Sequence, residues 1–477
     1  MPHLAPVVLA LLALADPPTS PSPVDLVSAF ETVLADAIAR AEPSVVAIAR
    51  DKDGKGEETT AVRGRKPPLV VAPDPPAGFD FRGLERADLP DYFASDYGSG
   101  VVIGDKGEIL TTFGVVKGAS RLVVRALGMK EFEAEVLAAD PRSDLAVIVP
   151  RDPNLHRRSP FRPIPVGDAT RLRKGNFLLA LGNPFNAGRD GRASASWGIL
   201  SNIARRLDLP SSEDLTRKQL RHFPTLLQLD SKLNLGMSGG AVVNIKGELV
   251  GLTTNAANAG GFDAQAGYAL PVDALARRAI EALKQGKEVE YGFLGVVLPE
   301  DHSNRIEKVT AGTPAGEGGL FPNDVILSIG GLPVVDSDTL VMAVNAFSPG
   351  QPIKTRVRRD EREFEKTIIL SKFRVFGEVI ATNRPAAWRG LRVDFVSTDP
   401  RGVRGDDLLA AMARGGVVVA EVQPGSAAED AGLKVGQVIV NVAGQPVRYP
   451  ADFTKAVADR RGPVPLTTEG ERIVTVK

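Results

Sequence analysis

Short apolar and alternating segments separated by turn residues dominate the chain between residues 98 and 255. Runs such as SRLVVRAL, DLAVIVP and NFLLALGNP are apolar or alternating for four to eight residues, and Gly, Asp or Pro bounds most of them. No long helical pattern intervenes, so this segment predicts antiparallel barrels or sandwiches. Helical spacing predicts a helix over residues 25–42 before it, with a strand over 44–49, and a second helix over 271–285 that closes it.

One polar stretch precedes this segment and a second interrupts it. Residues 51–97 combine charged residues with six prolines and five aromatic residues, and they predict a long loop. Residues 205–222 (RRLDLPSSEDLTRKQLRH) are strongly charged and predict an inserted surface loop.

An internal repeat occupies the C-terminal part of the chain. Residues 309–334 and 422–447 align without gaps at an offset of 113, and ten of the twenty-six positions are identical. The matching positions include Gly312 with Gly425 and Gly319 with Gly432. Two copies of one module, each of about 85 to 90 residues, therefore follow the β-rich segment.

Composition narrows the class of protein. The 477 residues suggest roughly three domains. The 58 Lys and Arg residues balance the 58 Asp and Glu residues, so charge gives no reason to expect a nucleic-acid partner. The absence of cysteine excludes disulfides, thiol catalysis and cysteine-ligated zinc. With only four histidines, at positions 3, 156, 222 and 302, histidine chemistry can be checked completely.

The first residues are typical of an export signal. Residues 4–15 form an apolar run too short to cross a bilayer, and Ala13-Leu14-Ala15 resembles a cleavage site before Asp16. We therefore predict a signal peptide over 1–15 and a linker over 16–24. The segment contains no Lys or Arg, so a buried N-terminal strand or a wrongly chosen start codon stays an alternative.

The repeated module resembles a PDZ domain of bacterial exported proteases, and the β-rich segment resembles the trypsin-like domain of the HtrA/Deg family of envelope serine proteases. Four stretches carry the second resemblance: GSGVVIG from Gly98, DPRSDLAV from Asp140, LGNPF from Leu181 and LQLDSKLNLGMSGGAVVN from Leu227. The resemblance implies a mainly β protein, with a chymotrypsin-like double β-barrel followed by two PDZ domains. It assigns 25–286 to the protease-like domain, 287–372 to the first PDZ domain and 373–477 to the second.

The resemblance also assigns catalytic positions. In the GMSGG stretch, Ser238 takes the place of the nucleophile, and the amides of Gly236 and Ser238 take the place of the oxyanion hole. Asp144 takes the place of the carboxylate that orients the histidine. The family's histidine stands in an I-L-T-x-x-H-V-V stretch, and this chain has ILTTFGVV there, with Gly114 in the histidine position.

Gly114 cannot accept a proton, and no histidine occurs between His3 and His156 that an alignment shift could supply. His156, His222 and, as a Ser-Lys pair, Lys232 stay open as remote substitutes for the base. The sequence therefore predicts a degenerate protease. Met237 replaces the Asn or Asp usual before the serine, which leaves the shape of that turn open.

Both PDZ domains are predicted to capture extended peptides by strand addition, with an amide-rich loop that binds the C-terminal carboxylate. Family position maps this loop onto four residues in each copy: Phe293, Leu294, Gly295 and Val296 in the first, and Gly390, Leu391, Arg392 and Val393 in the second. The second copy lacks the usual aromatic-aliphatic-Gly order.

The leading functional hypothesis is an HtrA-like pseudoprotease, exported to the periplasm or cell envelope, that binds unfolded or C-terminal polypeptide segments in protein quality control. The alternatives are an active serine endopeptidase with a non-standard base and a PDZ interaction scaffold. Neither a cofactor nor a metal site is predicted, no stretch after the N-terminal segment reaches membrane-spanning length, and a homotrimer is the assembly that the resemblance suggests.

Overall fold

The computed structural model describes residues 21–51, 96–184, 190–205, 226–231, 233–254, 266–375, 377–401 and 405–477. The loops predicted over 51–97 and 205–222 lie outside these residues except at their ends. Helix α1 (Pro23–Ala41) covers the helix predicted over 25–42. A capping box begins it, because the Ser22 hydroxyl accepts from the Asp25 N–H (3.2 Å) and the Asp25 carboxylate accepts from the Ser22 N–H (3.0 Å). No helix among the described residues has the length and apolar character to cross a bilayer.

Six antiparallel strands close the first barrel. Their order is β5-β4-β1-β2-β3-β6, and β6 pairs back to β5. The strands are β1 (Val45–Asp51), β2 (Asp96–Val102), β3 (Ile109–Thr112), β4 (Arg121–Arg125), β5 (Phe132–Asp140) and β6 (Leu145–Pro150).

A single helical turn, α2 (Phe113–Val116), follows β3. The reason is local hydrogen bonding across the barrel. Phe113 donates its N–H to the Asp144 carbonyl (3.0 Å), and Lys117 donates its N–H to the Phe113 carbonyl (2.9 Å). These bonds turn the chain out of the sheet at Gly114.

The second barrel is also closed, in the order β10-β11-β12-β9-β8-β7. The short helix α3 (Leu155–Arg158) precedes its strands, which are β7 (Phe177–Gly182), β8 (Ser194–Arg205), β9 (Leu226–Leu229), β10 (Ala241–Asn244), β11 (Leu249–Thr253) and β12 (Gly267–Pro271). Helix α4 (Ala274–Lys284) closes the barrel within the predicted span, and the Asp273 side chain caps it by accepting from the Ala276 N–H (2.9 Å). Leu110 and Val147 of the first barrel share one apolar core with Leu181 and Ala241 of the second.

Two C-terminal modules follow, each built around a small antiparallel sheet. The first contains β13 (Gly292–Phe293), β14 (Val296–Val297), β15 (Lys308–Val309), α5 (Pro314–Glu317), β16 (Val325–Ile329), β17 (Leu332–Pro333), α6 (Ser337–Asn345), β18 (Pro352–Arg359), β19 (Arg362–Ile369) and β20 (Ser371–Lys372). In β18, buried and exposed positions alternate, as expected for a sheet with one solvated face.

A short strand in the connection between the two modules pairs with the first barrel. Strand β21 (Ile380–Ala381) pairs with Ala138 and Ala139 of β5, although the sequence assigns residues 373–477 to the second module. The module itself contains β22 (Leu391–Phe395), α7 (Gly405–Arg414), β23 (Val417–Val422), α8 (Ala427–Asp430), β24 (Val438–Val442), β25 (Gln445–Pro446), α9 (Pro450–Val457), β26 (Val464–Thr468) and β27 (Ile473–Val476).

A buried lysine ties the modules and their connection together. The Lys372 ammonium is 5% exposed and lies 2.9 Å from a carboxylate oxygen of Asp394 and 3.1 Å from one of Glu288. These carboxylates raise the pKa of Lys372 despite its burial, so the ammonium stays charged.

Candidate active site and peptide-binding loops

The turn that carries Ser238 leads into β10 and is held by backbone groups of both barrels. Ser99 of β2 donates its N–H to the Ser238 carbonyl (2.8 Å), and its hydroxyl donates to the Gly236 carbonyl (2.8 Å). Gly239 donates its N–H to the Thr253 carbonyl (2.8 Å). The GSGVVIG stretch, which contains Ser99, is thus hydrogen-bonded to the turn that carries Ser238.

Two glycines of this turn occupy positions where a side chain does not fit. Gly236 has a φ of +92°, and a Cβ built on it lies 2.6 Å from the Asn183 carbonyl oxygen. Gly239 has a φ of +82°, and a Cβ built on it lies 2.3 Å from the Ser99 carbonyl oxygen. Both the left-handed backbone and the close approach therefore require glycine.

The amides of Gly236 and Ser238 lie on this turn with no protein acceptor in the described part of the chain. The Met237 N–H between them donates to the Asn234 carbonyl (3.1 Å). Backbone N–H groups without an internal partner can bind a carbonyl oxygen on which negative charge develops. Their role as an oxyanion hole stays a prediction.

Met237 fits because its side chain faces the interior of the second barrel. It is 3% exposed and belongs to a core cluster with Leu229 and Val242. Its carbonyl accepts the Gly240 N–H (2.9 Å) and the Thr253 hydroxyl. The apolar residue before Ser238 is therefore compatible with a tightly bonded turn.

The Ser238 hydroxyl has one side-chain partner among the described residues, and that partner is not a base. Its Oγ lies 3.2 Å from Oγ1 of Thr112, and Ser238 is 7% exposed. A threonine hydroxyl can donate or accept a hydrogen bond, but it does not take a proton near neutral pH. The sequence did not single out Thr112, although its place at the end of β3, two residues before Gly114, is a signal that points to the site.

Asp144 sits at the corner between β5 and β6 with a φ of +54°. Its Oδ1 accepts the N–H of Gly114 (3.1 Å), and the Thr254 hydroxyl approaches Oδ2 at 3.5 Å. Burial raises the pKa of Asp144 to about 6, because the Gly114 N–H only partly compensates for lost solvation. No hydrogen bond joins this carboxylate to Ser238 in the described structure.

Gly114 lies on the exposed side of α2 and leaves the predicted base position without a side chain. A Cβ built on it meets Asp144 Oδ1 at 3.8 Å and Thr112 Oγ1 at 4.0 Å, which are ordinary contact distances. The structure thus brings all three predicted catalytic positions together. Gly114 bonds to Asp144, and Thr112 links the same segment to Ser238.

The structure places one of the three candidate substitute bases. His156 lies on α3, beyond the end of β6, and makes no hydrogen bond to Ser238. The other two candidates, His222 and Lys232, lie outside the described residues.

Comparison with known proteins decides the family. Residues 98–252 match the trypsin-like peptidase domain, and residues 292–370 and 418–469 each match a PDZ domain. A probable periplasmic serine endoprotease DegP-like from Ectopseudomonas mendocina is 31% identical over 384 residues, which cover 77% of this chain and 75% of that protein. The chain belongs to the HtrA/Deg family.

Other relatives extend the similarity. The periplasmic pH-dependent serine endoprotease DegQ of Escherichia coli K12 is 27% identical over 418 residues, covering 84% of this chain and 82% of that protein. A solved structure of the HtrA-type protease AlgW with decapeptide is similar at 27% identity and a TM-score of 0.49, over 71% of this chain and 98% of that one.

In the first PDZ domain of this HtrA-family chain, two N–H groups of the predicted carboxylate loop are not bonded to other described residues. Gly295 has a φ of +84°, and a Cβ built on it would overlap the Thr313 side chain at 2.2 Å. The Leu294 carbonyl accepts the Ala315 N–H (2.8 Å), which fixes the loop against α5. The N–H groups of Leu294 and Gly295 have no acceptor within the described ranges. Val296 begins β14, and Phe293 ends β13.

In the second PDZ domain, the equivalent loop starts two residues before the predicted one. Gly390 has the same φ of +84°, and its built Cβ would lie 2.1 Å from the Ser426 side chain, as that of Gly295 lies against Thr313. The structural counterpart of Phe293-Leu294-Gly295-Val296 is therefore Trp388-Arg389-Gly390-Leu391. Arg392 and Val393, assigned to this loop from sequence, lie further along β22 and pair with Glu421 and Val419.

The second loop is also closed more tightly than the first. Trp388 and Leu391 exchange both backbone hydrogen bonds (2.9 and 2.8 Å), so the Leu391 N–H is already paired within the loop. The Trp388 ring packs edge-on against Phe453 of α9, with centroids 5.8 Å apart. Trp388 thus belongs to this loop, and its Trp-x-Gly-Leu order is the signal that sequence reasoning missed.

A buried polar contact connects the Asp144 corner to the first PDZ domain. Two residues before Asp144, the Arg142 guanidinium lies 3.6 Å from the centroid of the Phe373 ring and donates to Asn345 Oδ1 (3.1 Å). Asp140 at the other end of the corner accepts the Tyr291 hydroxyl, and burial raises the pKa of Asp140. The DPRSD stretch therefore forms part of the contact between the protease-like and PDZ domains.

Proposed function

We propose that this chain is a non-cleaving member of the HtrA family that binds unfolded or C-terminal polypeptide segments in a protein quality-control role. One observation carries the proposal. The Ser238 hydroxyl is hydrogen-bonded to Thr112, and Gly114 stands where a base would take its proton. The relatives are named as periplasmic endoproteases, which supports a periplasmic location for this chain as well.

The size of the chemical effect favours binding over cleavage. A serine hydroxyl is a poor nucleophile unless an adjacent base takes its proton. Removal of that base from a serine protease costs on the order of a millionfold in turnover. Asp144 does not replace it, because its carboxylate is bonded to the Gly114 N–H and has no hydrogen bond to Ser238.

Polypeptide binding is supported by the groups that stay intact. The amides of Gly236 and Ser238, which have no acceptor among the described residues, can hold a peptide carbonyl in the cleft. The amides of Leu294 and Gly295 can capture a C-terminal carboxylate at the first PDZ domain. The corresponding amides of Arg389 and Gly390 in the second PDZ domain also have no acceptor among the described residues, so this loop can bind a carboxylate as well, although its Leu391 N–H is already bonded to the Trp388 carbonyl.

A second candidate function is an active serine endopeptidase with a non-standard base. It is favoured by the names of the relatives, which describe proteases, and by the tightly built turn around Ser238. His222 and Lys232 are the residues that it would need.

Incubation of the full chain with an unfolded polypeptide that contains no histidine, beside its Ser238→Ala variant, separates the two functions. We expect equal and negligible cleavage of this polypeptide by both proteins. We also expect both to suppress the aggregation of a chemically unfolded protein equally well. Cleavage by the wild-type chain that disappears in Ser238→Ala would establish the endopeptidase instead and direct attention to His222→Ala and Lys232→Ala.

A further inference from the structure

The space beside Gly114 lies between the carboxylate of Asp144 and the segment that bonds to Ser238. Gly114 is exposed, and its φ lies outside the left-handed region, so the backbone there is compatible with any residue. The heavy atoms nearest to a built Cβ are Asp144 Oδ1 at 3.8 Å and Thr112 Oγ1 at 4.0 Å. The space is therefore open to solvent on one side and bounded by polar oxygens on the other.

The two ends of this space differ in hydrogen-bonding character. At one end, Asp144 Oδ1 accepts the backbone N–H of Gly114, and a carboxylate oxygen can accept more than one hydrogen bond. At the other end, Thr112 Oγ1 lies 4.0 Å from the built Cβ and 3.2 Å from Ser238 Oγ, and either hydroxyl can be the donor in that contact. A neutral imidazole carries one N–H donor and one nitrogen acceptor on opposite sides of a small ring, and so matches both ends.

We propose that this space binds an imidazole ring supplied from outside the chain, in the first instance by a histidine of a bound polypeptide, and that Ser238 becomes nucleophilic while the ring is bound. The inference rests on the proposed function, since it requires that the chain has no working base of its own. It adds a substrate class, which is histidine-bearing polypeptides.

The buried carboxylate favours this binding. Its poor solvation raises the pKa of Asp144 to about 6, and the N–H donor of an imidazole would replace part of the lost solvation. An imidazolium formed during the reaction would be stabilised further by the opposite charge of Asp144.

The reaction balances with the ring as a proton carrier. The Ser238 O–H bond breaks, its proton passes to the imidazole nitrogen, and Oγ forms a bond to the carbonyl carbon of the peptide. The imidazolium returns the proton to the amide nitrogen as the C–N bond breaks, which leaves an acyl group on Ser238. Water then repeats the two transfers and releases the acyl group as a carboxylic acid.

Labelling of the full chain by a fluorophosphonate probe tests this step with free imidazole as the supplied ring. The probe forms a bond from phosphorus to Ser238 Oγ and releases fluoride, and the serine proton again goes to imidazole. We expect imidazole to speed the labelling about a hundredfold, the lower end of what general-base catalysis contributes. Pyrazole, which has the same ring size and is a far weaker base, should give no acceleration.

The variants locate the effect. Gly114→Leu fills the space and should abolish the imidazole effect, and Ser238→Ala should abolish labelling altogether. Equal labelling with imidazole, with pyrazole and with neither would overturn the proposal, as would an imidazole effect that persists in a folded Gly114→Leu variant. Labelling without any imidazole, or cleavage of a polypeptide that contains no histidine, would instead contradict the proposed function, so the two failures are distinguishable.

Discussion

The two barrels contribute unequally to the site, and their glycines show the difference. In the second barrel, a Cβ on Gly239 would lie 2.3 Å from a carbonyl oxygen, and the backbone is left-handed. In the first barrel, a Cβ on Gly114 would meet no atom of the described residues closer than 3.8 Å, and the backbone lies outside the left-handed region. The fold therefore demands glycine beside the nucleophile and does not demand it at the base position.

This contrast separates a structural requirement from a chemical change. The turn that carries Ser238 is bonded to Ser99 and Thr253, and the amides of Gly236 and Ser238 have no acceptor among the described residues, so its geometry does not depend on a base. The base position lacks a proton acceptor although a side chain would fit there. The site can therefore bind a carbonyl group without activating Ser238.

The largest expected effect on stability is that of Gly239→Ala, which disrupts the turn that carries Ser238. The added Cβ overlaps the Ser99 carbonyl and forces an L residue into a left-handed backbone, so we expect a loss of about 3 kcal/mol or more in unfolding free energy. Urea unfolding followed by Trp197 fluorescence in a Trp388→Phe background reports on the second barrel. Gly175→Ala is the matched control, because its φ is +87° and no atom lies within 4 Å of its built Cβ. Equal losses in the two variants would contradict the account of the turn.

A smaller effect is expected for Asp144→Asn, and its sign depends on pH. The pKa of Asp144 is raised from 3.8 to about 6 in the folded protein, so its contribution to stability is present below about pH 3.8 and is lost as pH rises through about 6. At neutral pH we expect the amide variant to be more stable than the wild type, by up to about 3 kcal/mol. Thermal unfolding of both proteins at about pH 4 and about pH 7 checks this, since the difference should grow with pH. An unchanged difference would mean that Asp144 titrates normally.

The smallest expected effect belongs to Gly114→Ala. The new methyl group makes ordinary contacts, and alanine restricts the unfolded chain more than glycine does, so we expect a gain of about 0.4–1 kcal/mol. The midpoints of thermal unfolding of Gly114→Ala and of the wild-type chain measure this gain in stability. A marked loss of stability would show that the first barrel also requires glycine, which would remove the contrast between the two barrels.

The sequence was sufficient where a feature depends on local pattern. The helical spacing of 25–42 predicted α1, and the repeat at an offset of 113 predicted two modules of one fold. The family match predicted Ser238, Asp144 and Gly114 as neighbours, and the structure brings their segments together. The sequence did not indicate that Thr112 bonds to Ser238, because that contact joins residues 126 positions apart through the closure of both barrels.

The position of the predicted carboxylate loop in the second PDZ domain could not be obtained from sequence alone. Gly295 and Gly390 are 95 positions apart, whereas the matched repeat glycines are 113 apart, so the second module carries additional residues between loop and repeat. Helix α7 lies in that interval. An assignment by family position alone therefore shifted the loop by two residues. Its register is set by the close approach of Gly390 to Ser426 and by the hydrogen bond from the Ala428 N–H to the Arg389 carbonyl.

The central claim, that Ser238 lacks a base and nothing else, is tested most directly by the rate at which Gly114→His cleaves an unfolded polypeptide that contains no histidine. We predict cleavage by this variant that disappears in the Gly114→His, Ser238→Ala double variant, while the wild-type chain stays inactive. Equal Ser238-dependent cleavage by the wild-type chain and by Gly114→His would contradict the claim, because it would require a different base already present in the chain.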